Sequence, residues 1–187
     1  MNVILMGFRC TGKSTAGRCL AEELGAPFFD TDEMIEQRTG RPISRIVAEN
    51  GWPAFRAAER EVVRELAGTD GGVISLGGGT VCAPENVADL KAKGFFIWLS
   101  ASPEAIAGRM VRDKERGTER PSLTGEPSVQ EMRAVLAERE PLYRQLADIV
   151  VDTTGIPVAA VVGAIRTALR ERFPETAGIS ADPGENR

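Results

Sequence analysis

The sequence predicts an α/β fold in three layers, with a central five-stranded parallel sheet covered by helices on both faces. Three observations carry it. Short apolar runs alternate with helical stretches, a glycine-rich turn joins the first run directly to the first helix, and the polar signals fall just beyond the ends of the runs. Five runs qualify as strands, at residues 3–6, 27–29, 72–76, 95–99 and 149–151. Sheets of this kind bind ligands beyond the carboxyl ends of their strands.

Residues 13–24 read as the first helix, with Ala16, Leu20 and Leu24 at helical spacing and Gly25 as its stop. The second strand then hands Asp30 and Asp32 to a loop. Helices at 32–38, 43–50 and 52–67, the first two parted by the Thr39-Gly40-Arg41-Pro42 turn, form an all-helical insertion over about 32–67. In the last of them Phe55, Val62 and Leu66 share one side. The run at 72–76 stops at Gly77-Gly78-Gly79, and a helix over 84–93 leads into 95–99. Pro103 then opens another helix at the position proline favours.

Residues 112–125 are polar, charged and without periodicity, so a mobile loop is expected there. A long helix over 129–147, which Pro141 is expected to bend, the run at 149–151 and a helix over 158–172 complete one domain spanning 1–173. Residues 174–187 are expected to be a disordered tail.

Composition narrows the function. With 42% hydrophobic and 27% charged residues the chain is globular, and no apolar run approaches the ~20 residues of a membrane span. Its first residues enter the strand and the glycine turn at once, so no leader is expected and the chain is read as cytoplasmic. Histidine is absent and the three cysteines are widely spaced, which excludes a histidine base and argues against zinc. A net charge of −4 argues against nucleic acid as a partner. All but four of the 23 basic residues are arginine, which suits a bidentate grip on carboxylate or phosphate, although genomic base composition explains most of that excess.

The stretch Gly7-Phe8-Arg9-Cys10-Thr11-Gly12-Lys13-Ser14-Thr15 fits G-x-x-x-x-G-K-[ST], the phosphate-binding P-loop, between a strand and a helix as that loop requires. Gly7 and Gly12 allow the tight bend that turns successive N–H groups inward at a helix N-terminus. Cys10, Thr11, Gly12, Lys13, Ser14 and Thr15 are therefore expected to bind nucleotide. Lys13 would reach the β- and γ-phosphates, and the Ser14 hydroxyl would help to hold a Mg²⁺ bridging them.

Taken together the residues resemble the shikimate kinase family. The likeness rests on the P-loop, Asp30-Thr31-Asp32, Gly51-Trp52-Pro53-Ala54-Phe55-Arg56 with Glu59 following, and Leu76-Gly77-Gly78-Gly79. It rests also on Arg120-Pro121-Ser122-Leu123-Thr124-Gly125 and on Arg139 before Pro141-Leu142-Tyr143-Arg144. These motifs keep the family's order and approximate spacing from residue 1 to about 170, and the lid sequence is most similar to the branch with the longer lid.

The resemblance implies a P-loop kinase fold with a helical substrate-binding insertion and a mobile lid over about 112–125. It implies phosphorylation of the 3-hydroxyl of shikimate by ATP with Mg²⁺, yielding shikimate 3-phosphate and ADP, a step of chorismate and aromatic amino-acid biosynthesis. Asp32 would orient the attacking hydroxyl and accept its proton, and Asp30 would sit near Mg²⁺, acting through a water. Arg56 and Arg139 would clamp the shikimate carboxylate, and the Gly78 and Gly79 backbone would approach the substrate ring. Arg120 in the lid would reach the transferring phosphate, and Arg109 would lie against the adenine. Outside that context the aspartates read as helix N-caps, the arginines as solvated surface residues and the glycines as a turn. No exposed apolar stripe is evident, so a monomer is expected.

One position departs from the pattern. Many family members carry glycine where this chain has Cys10, so the backbone there is expected at an angle open to other residues, with the thiol directed away from the phosphates. Read plainly, Cys10 is a small half-buried residue; its place at a helix N-terminus beside Lys13 is also one that lowers a thiol's pKa. Two rivals stand beside the kinase reading. A gluconate kinase would share the loop and the helical insertion, but Arg56, the triple glycine and Arg139 together provide a two-arginine carboxylate clamp next to a flat ring platform, which favours shikimate. A nucleotide-binding module without catalysis would not need Lys13, Asp32 and Arg120 together. Trp52, four residues before Arg56, falls on the same helix face.

Overall fold

The computed structural model describes residues 1–115 and 129–174. Strands β1 (Asn2–Met6), β2 (Phe28–Asp30), β3 (Val73–Ser75), β4 (Gly94–Ser100) and β5 (Ile149–Asp152) pair in parallel in the order β2-β3-β1-β4-β5. From β1 the chain passes to the edge at β2, returns inward to β3 beside β1, then crosses β1 to build the other side. That reversal opens a crevice at the carboxyl end of β1, where the P-loop begins.

Side chains alternate across each strand and divide the core in two. Ile4 and Met6 of β1, with Phe96 and Trp98 of β4, face α2 (Thr31–Thr39), α3 (Ile43–Gly68), α4 (Pro84–Lys91) and α6 (Val129–Leu146). Val3 and Leu5, with Phe95, Ile97 and Leu99, face α1 (Lys13–Leu24) and α7 (Val158–Arg172). Both layers are dense. Ile4, Leu5, Ile74, Ile97 and Leu99 are each 0% exposed, which is why these strands read as unbroken apolar runs. Helix α5 (Pro103–Glu115) packs beside α6 over a smaller cluster that includes Phe8 and Ile106. Among the described residues no helix is long and apolar enough to cross a membrane.

Several expectations need correction. Asp30 and Asp32 do not lie in a loop: β2 ends on Asp30 and α2 starts at Thr31, because the Asp30 carboxylate caps that helix at once. The two helices expected at 43–50 and 52–67 join end to end, parted only by Gly51 at φ 78°, ψ 170°. Pro53 falls in the first turn of the second half, where its missing N–H leaves no gap in the ladder. Arg112 to Glu115 belong to α5 and not to the expected loop, since a solvated helix end carries no apolar period to read. Arg120, the rest of the expected lid up to Gly125, and the tail after residue 174 lie outside the described residues.

Candidate active site

The P-loop closes tightly because nothing but glycine fits its first position. Gly7 sits at φ 144°, and a Cβ there would stand 2.4 Å from the Leu99 carbonyl oxygen. Inside the loop, the Phe8 carbonyl accepts from the Thr11 hydroxyl at 2.9 Å and from the Lys13 ammonium at 2.7 Å, so that Lys13 is buried along the loop. Cys10 contradicts the expectation for its backbone. At φ 61° it occupies the left-handed region, a conformation that costs a side-chain-bearing residue about 1 kcal/mol. Its half-buried side chain packs against the Phe8 cluster, with Sγ 3.4 Å from a carboxylate oxygen of Asp113 on α5.

Asp30 serves two elements at once. Its Oδ1 accepts from the N–H groups of Asp32 (3.0 Å) and Glu33 (3.3 Å), capping α2, while its Oδ2 accepts the Ser14 hydroxyl of the P-loop at 2.6 Å. Strand β2 is thereby tied to the start of α1. Next to it, the Thr31 hydroxyl accepts the Gly77 N–H at 2.8 Å and draws the triple-glycine turn against α2.

Each glycine of that turn meets a different neighbour. A Cβ on Gly77 would lie 2.6 Å from the Asp32 carboxylate, one on Gly78 3.3 Å from the Arg9 backbone nitrogen of the P-loop, and one on Gly79 2.4 Å from the Arg56 guanidinium. The turn is a three-way contact. Arg56 is held there by Glu59, whose Oε2 accepts its Nη1 at 2.6 Å, and lies about 5–6 Å from the rings of Trp52 and Phe55. Glu59 is 1% exposed, and its other oxygen accepts the Thr80 hydroxyl at 2.7 Å. From the opposite side Arg139 of α6 donates to the Gly78 carbonyl at 3.1 Å, and the Tyr143 hydroxyl donates to the same oxygen. Two arginines thus converge on consecutive residues, whose Cα atoms are about 3.8 Å apart.

Arg109 of α5 crosses to the far side of the loop. It donates to the Cys10 carbonyl at 3.1 Å and to the Thr153 hydroxyl and carbonyl at 3.0 and 2.5 Å, joining the P-loop to the segment after β5. A cleft of about 940 Å³ runs from this bridge, past Lys13 and Asp32, to Arg56 and Arg139. Every site residue expected from the sequence, Arg120 apart, lines it.

The family model for shikimate kinase matches residues 9–170. The chain belongs to the shikimate kinase family. Shikimate kinases from Syntrophus aciditrophicus and Oleidesulfovibrio alaskensis are 41% and 45% identical to it, over 92% and 86% of this chain and 93% and 92% of theirs. The structure of a shikimate kinase from Acinetobacter baumannii in complex with shikimate superposes with a TM-score of 0.84 at 34% identity, covering 92% of this chain and 94% of that one. By family the chain is a kinase.

Against this family background three contacts stand out that reading the sequence alone did not assign. Glu59 falls four residues after Phe55 and three before Val62, on the stripe that the helical period marks as apolar, and a carboxylate in that place is itself a signal of a buried partner. Tyr143 follows Arg139 by one helical turn and reaches the same acceptor. Gly77 is more than a turn residue, because its missing side chain admits the Asp32 carboxylate. Gly79→Ala is expected to push the Arg56 guanidinium out of place and raise the KM for the acceptor substrate about tenfold or more, with the KM for ATP little changed; steady-state kinetics of the variant checks it.

Proposed function

We propose that this cleft phosphorylates the 3-hydroxyl of shikimate with ATP, releasing ADP and shikimate 3-phosphate, and thereby serves the route to chorismate and the aromatic amino acids. One observation carries the reading furthest. Arg56 and Arg139 meet across Gly78 and Gly79, within the same cleft as a P-loop and the Asp32 carboxylate just beyond the end of β2. A fork of N–H donors on each side suits a planar carboxylate, which a ring acid such as shikimate presents. A sugar acceptor without that charge would leave the arginines unused.

The roles follow from position. The β- and γ-phosphates rest on the inward N–H groups between Cys10 and Thr15, with the Lys13 ammonium on their oxygens. Arg56 and Arg139 orient the acceptor carboxylate, and the side-chain-free Gly78 and Gly79 let the ring lie close. The 3-hydroxyl oxygen attacks the γ-phosphorus in line, the bond from that phosphorus to the bridging oxygen of ADP breaks, and the hydroxyl proton passes to Asp32. Phosphoryl transfer asks mainly for positioning and charge stabilisation, so a carboxylate is base enough. Arg109, already fixed to the P-loop and to Thr153, borders the adenine end of the cleft.

Ser14 and Asp30 fit a magnesium site. Their oxygens lie 2.6 Å apart at the mouth of the P-loop, a hard donor set of the kind Mg²⁺ takes together with phosphate oxygens and waters. When bound, the ion neutralises charge on the β- and γ-phosphates.

ADP release from MgATP by the purified chain, compared with no acceptor, shikimate, quinate and gluconate, tests the proposal. Release that depends on shikimate is the expected result. Release with gluconate alone would overturn shikimate as the acceptor, and nucleotide binding with no release for any acceptor would overturn the kinase reading.

A further inference from the structure

Tyr143 is 0% exposed and belongs to the larger core cluster, with its ring 6.0 Å from that of Trp98 at an interplanar angle of 31°. A phenylalanine would fill that space equally well. The hydroxyl is the only polar atom of the side chain, and it reaches past the apolar core to the Gly78 carbonyl, the acceptor that Arg139 also uses. A carbonyl oxygen has two lone pairs, and here each has its own donor.

We propose that Tyr143 is a positioning residue for the acceptor-carboxylate clamp, its hydroxyl occupying one lone pair of the Gly78 carbonyl and so fixing the Arg139 guanidinium on the other. The inference rests on the function proposed above. Arg139 shares one N–H with the peptide and keeps the rest of its fork for substrate only while the carbonyl is half-satisfied from the core. Without the phenol, the carbonyl draws the guanidinium inward, and the cation–carboxylate geometry is lost. Gly78 also abuts the Arg9 backbone, so the same peptide links the clamp to the P-loop.

The phenol can hold this place at any neutral pH. Burial pushes its pKa up to about 12, with the Arg139 charge acting in the opposite direction, so the proton it donates stays on. The i, i+4 spacing of Arg139 and Tyr143 on α6 is what brings both donors to one oxygen.

Calorimetric titrations of shikimate and MgATP into the wild type, Tyr143→Phe, Arg139→Ala and the double variant, with melting temperatures, test the proposal. Tyr143→Phe is expected to weaken shikimate about tenfold and MgATP less than twofold. In the Arg139→Ala background the same change should cost shikimate less than twofold, because its effect passes through Arg139. Unchanged shikimate affinity, an undiminished tenfold loss without Arg139, or an equal loss for MgATP overturns it. A wild type that binds no shikimate overturns the proposed function instead.

Tyr143 is the chain's one tyrosine. Biosynthetic 3-fluorotyrosine therefore labels this position alone and gives a readout that does not depend on Tyr143→Phe folding. The fluorine resonance is expected to move on shikimate saturation in the wild type, and a resonance that stays fixed while shikimate binds would overturn the coupling.

Discussion

Asp32→Asn is expected to lower kcat about a thousandfold while leaving nucleotide affinity within twofold. The substitution keeps the size of the side chain and the Asp32 N–H bond to Asp30, so α2 retains its cap. What it removes is the charge proposed to take the hydroxyl proton, and a positioned base contributes between about a hundredfold and ten-thousandfold. Ser14 keeps its bond to Asp30 and Lys13 its bond to the Phe8 carbonyl, so the nucleotide cradle retains these ties. ADP release and nucleotide titration measure the two quantities separately. A kcat within tenfold of the wild type would place the acceptor hydroxyl away from Asp32.

Glu59→Ala should cost about 3 kcal/mol of folding stability, the lower end of what breaking a buried ion pair costs. The reason for the lower end is Arg56, whose side chain is 35% exposed and can turn partly to water. The Thr80 hydroxyl has no such exit, because Thr80 is 0% exposed. Arg56 would also lose its direction, so the shikimate KM should rise along with the loss of stability. Glu59→Gln keeps an acceptor for Thr80 and should recover part of the stability but little of the KM. Urea unfolding of both variants decides it, and a loss below about 1 kcal/mol for the alanine variant would show that the carboxylate carries little of the load.

The strands were legible because burial on both faces turns them into plain apolar runs, and the helices because glycine or proline marks their ends. The P-loop was legible because its chemistry is local: one strand end, one turn and one helix start hold all of it. The pairing of Arg56 with Arg139 was legible only through resemblance, since they sit 83 positions apart and no spacing rule joins them. Three features escaped for physical reasons. The left-handed backbone of Cys10 is imposed by the loop against the side chain's preference. Arg109 makes contacts with Cys10 and Thr153 that depend on how β5 and α5 come to lie beside the loop. Nothing in the sequence pattern sets Tyr143 apart from a buried aromatic, and the difference lies in a single oxygen.

The triple-glycine turn also limits how this scaffold can change its acceptor over evolutionary time. Each of its three positions already has a neighbour where a side chain would begin, so a mutation there is expected to displace Asp32, the P-loop backbone or Arg56 before it can reach a new specificity. Variation has to enter from α2, α3 and α6, which approach the turn from outside and can exchange a charge or a ring without moving its backbone. A lineage drifting toward an uncharged acceptor would therefore keep its glycines and lose its arginines first.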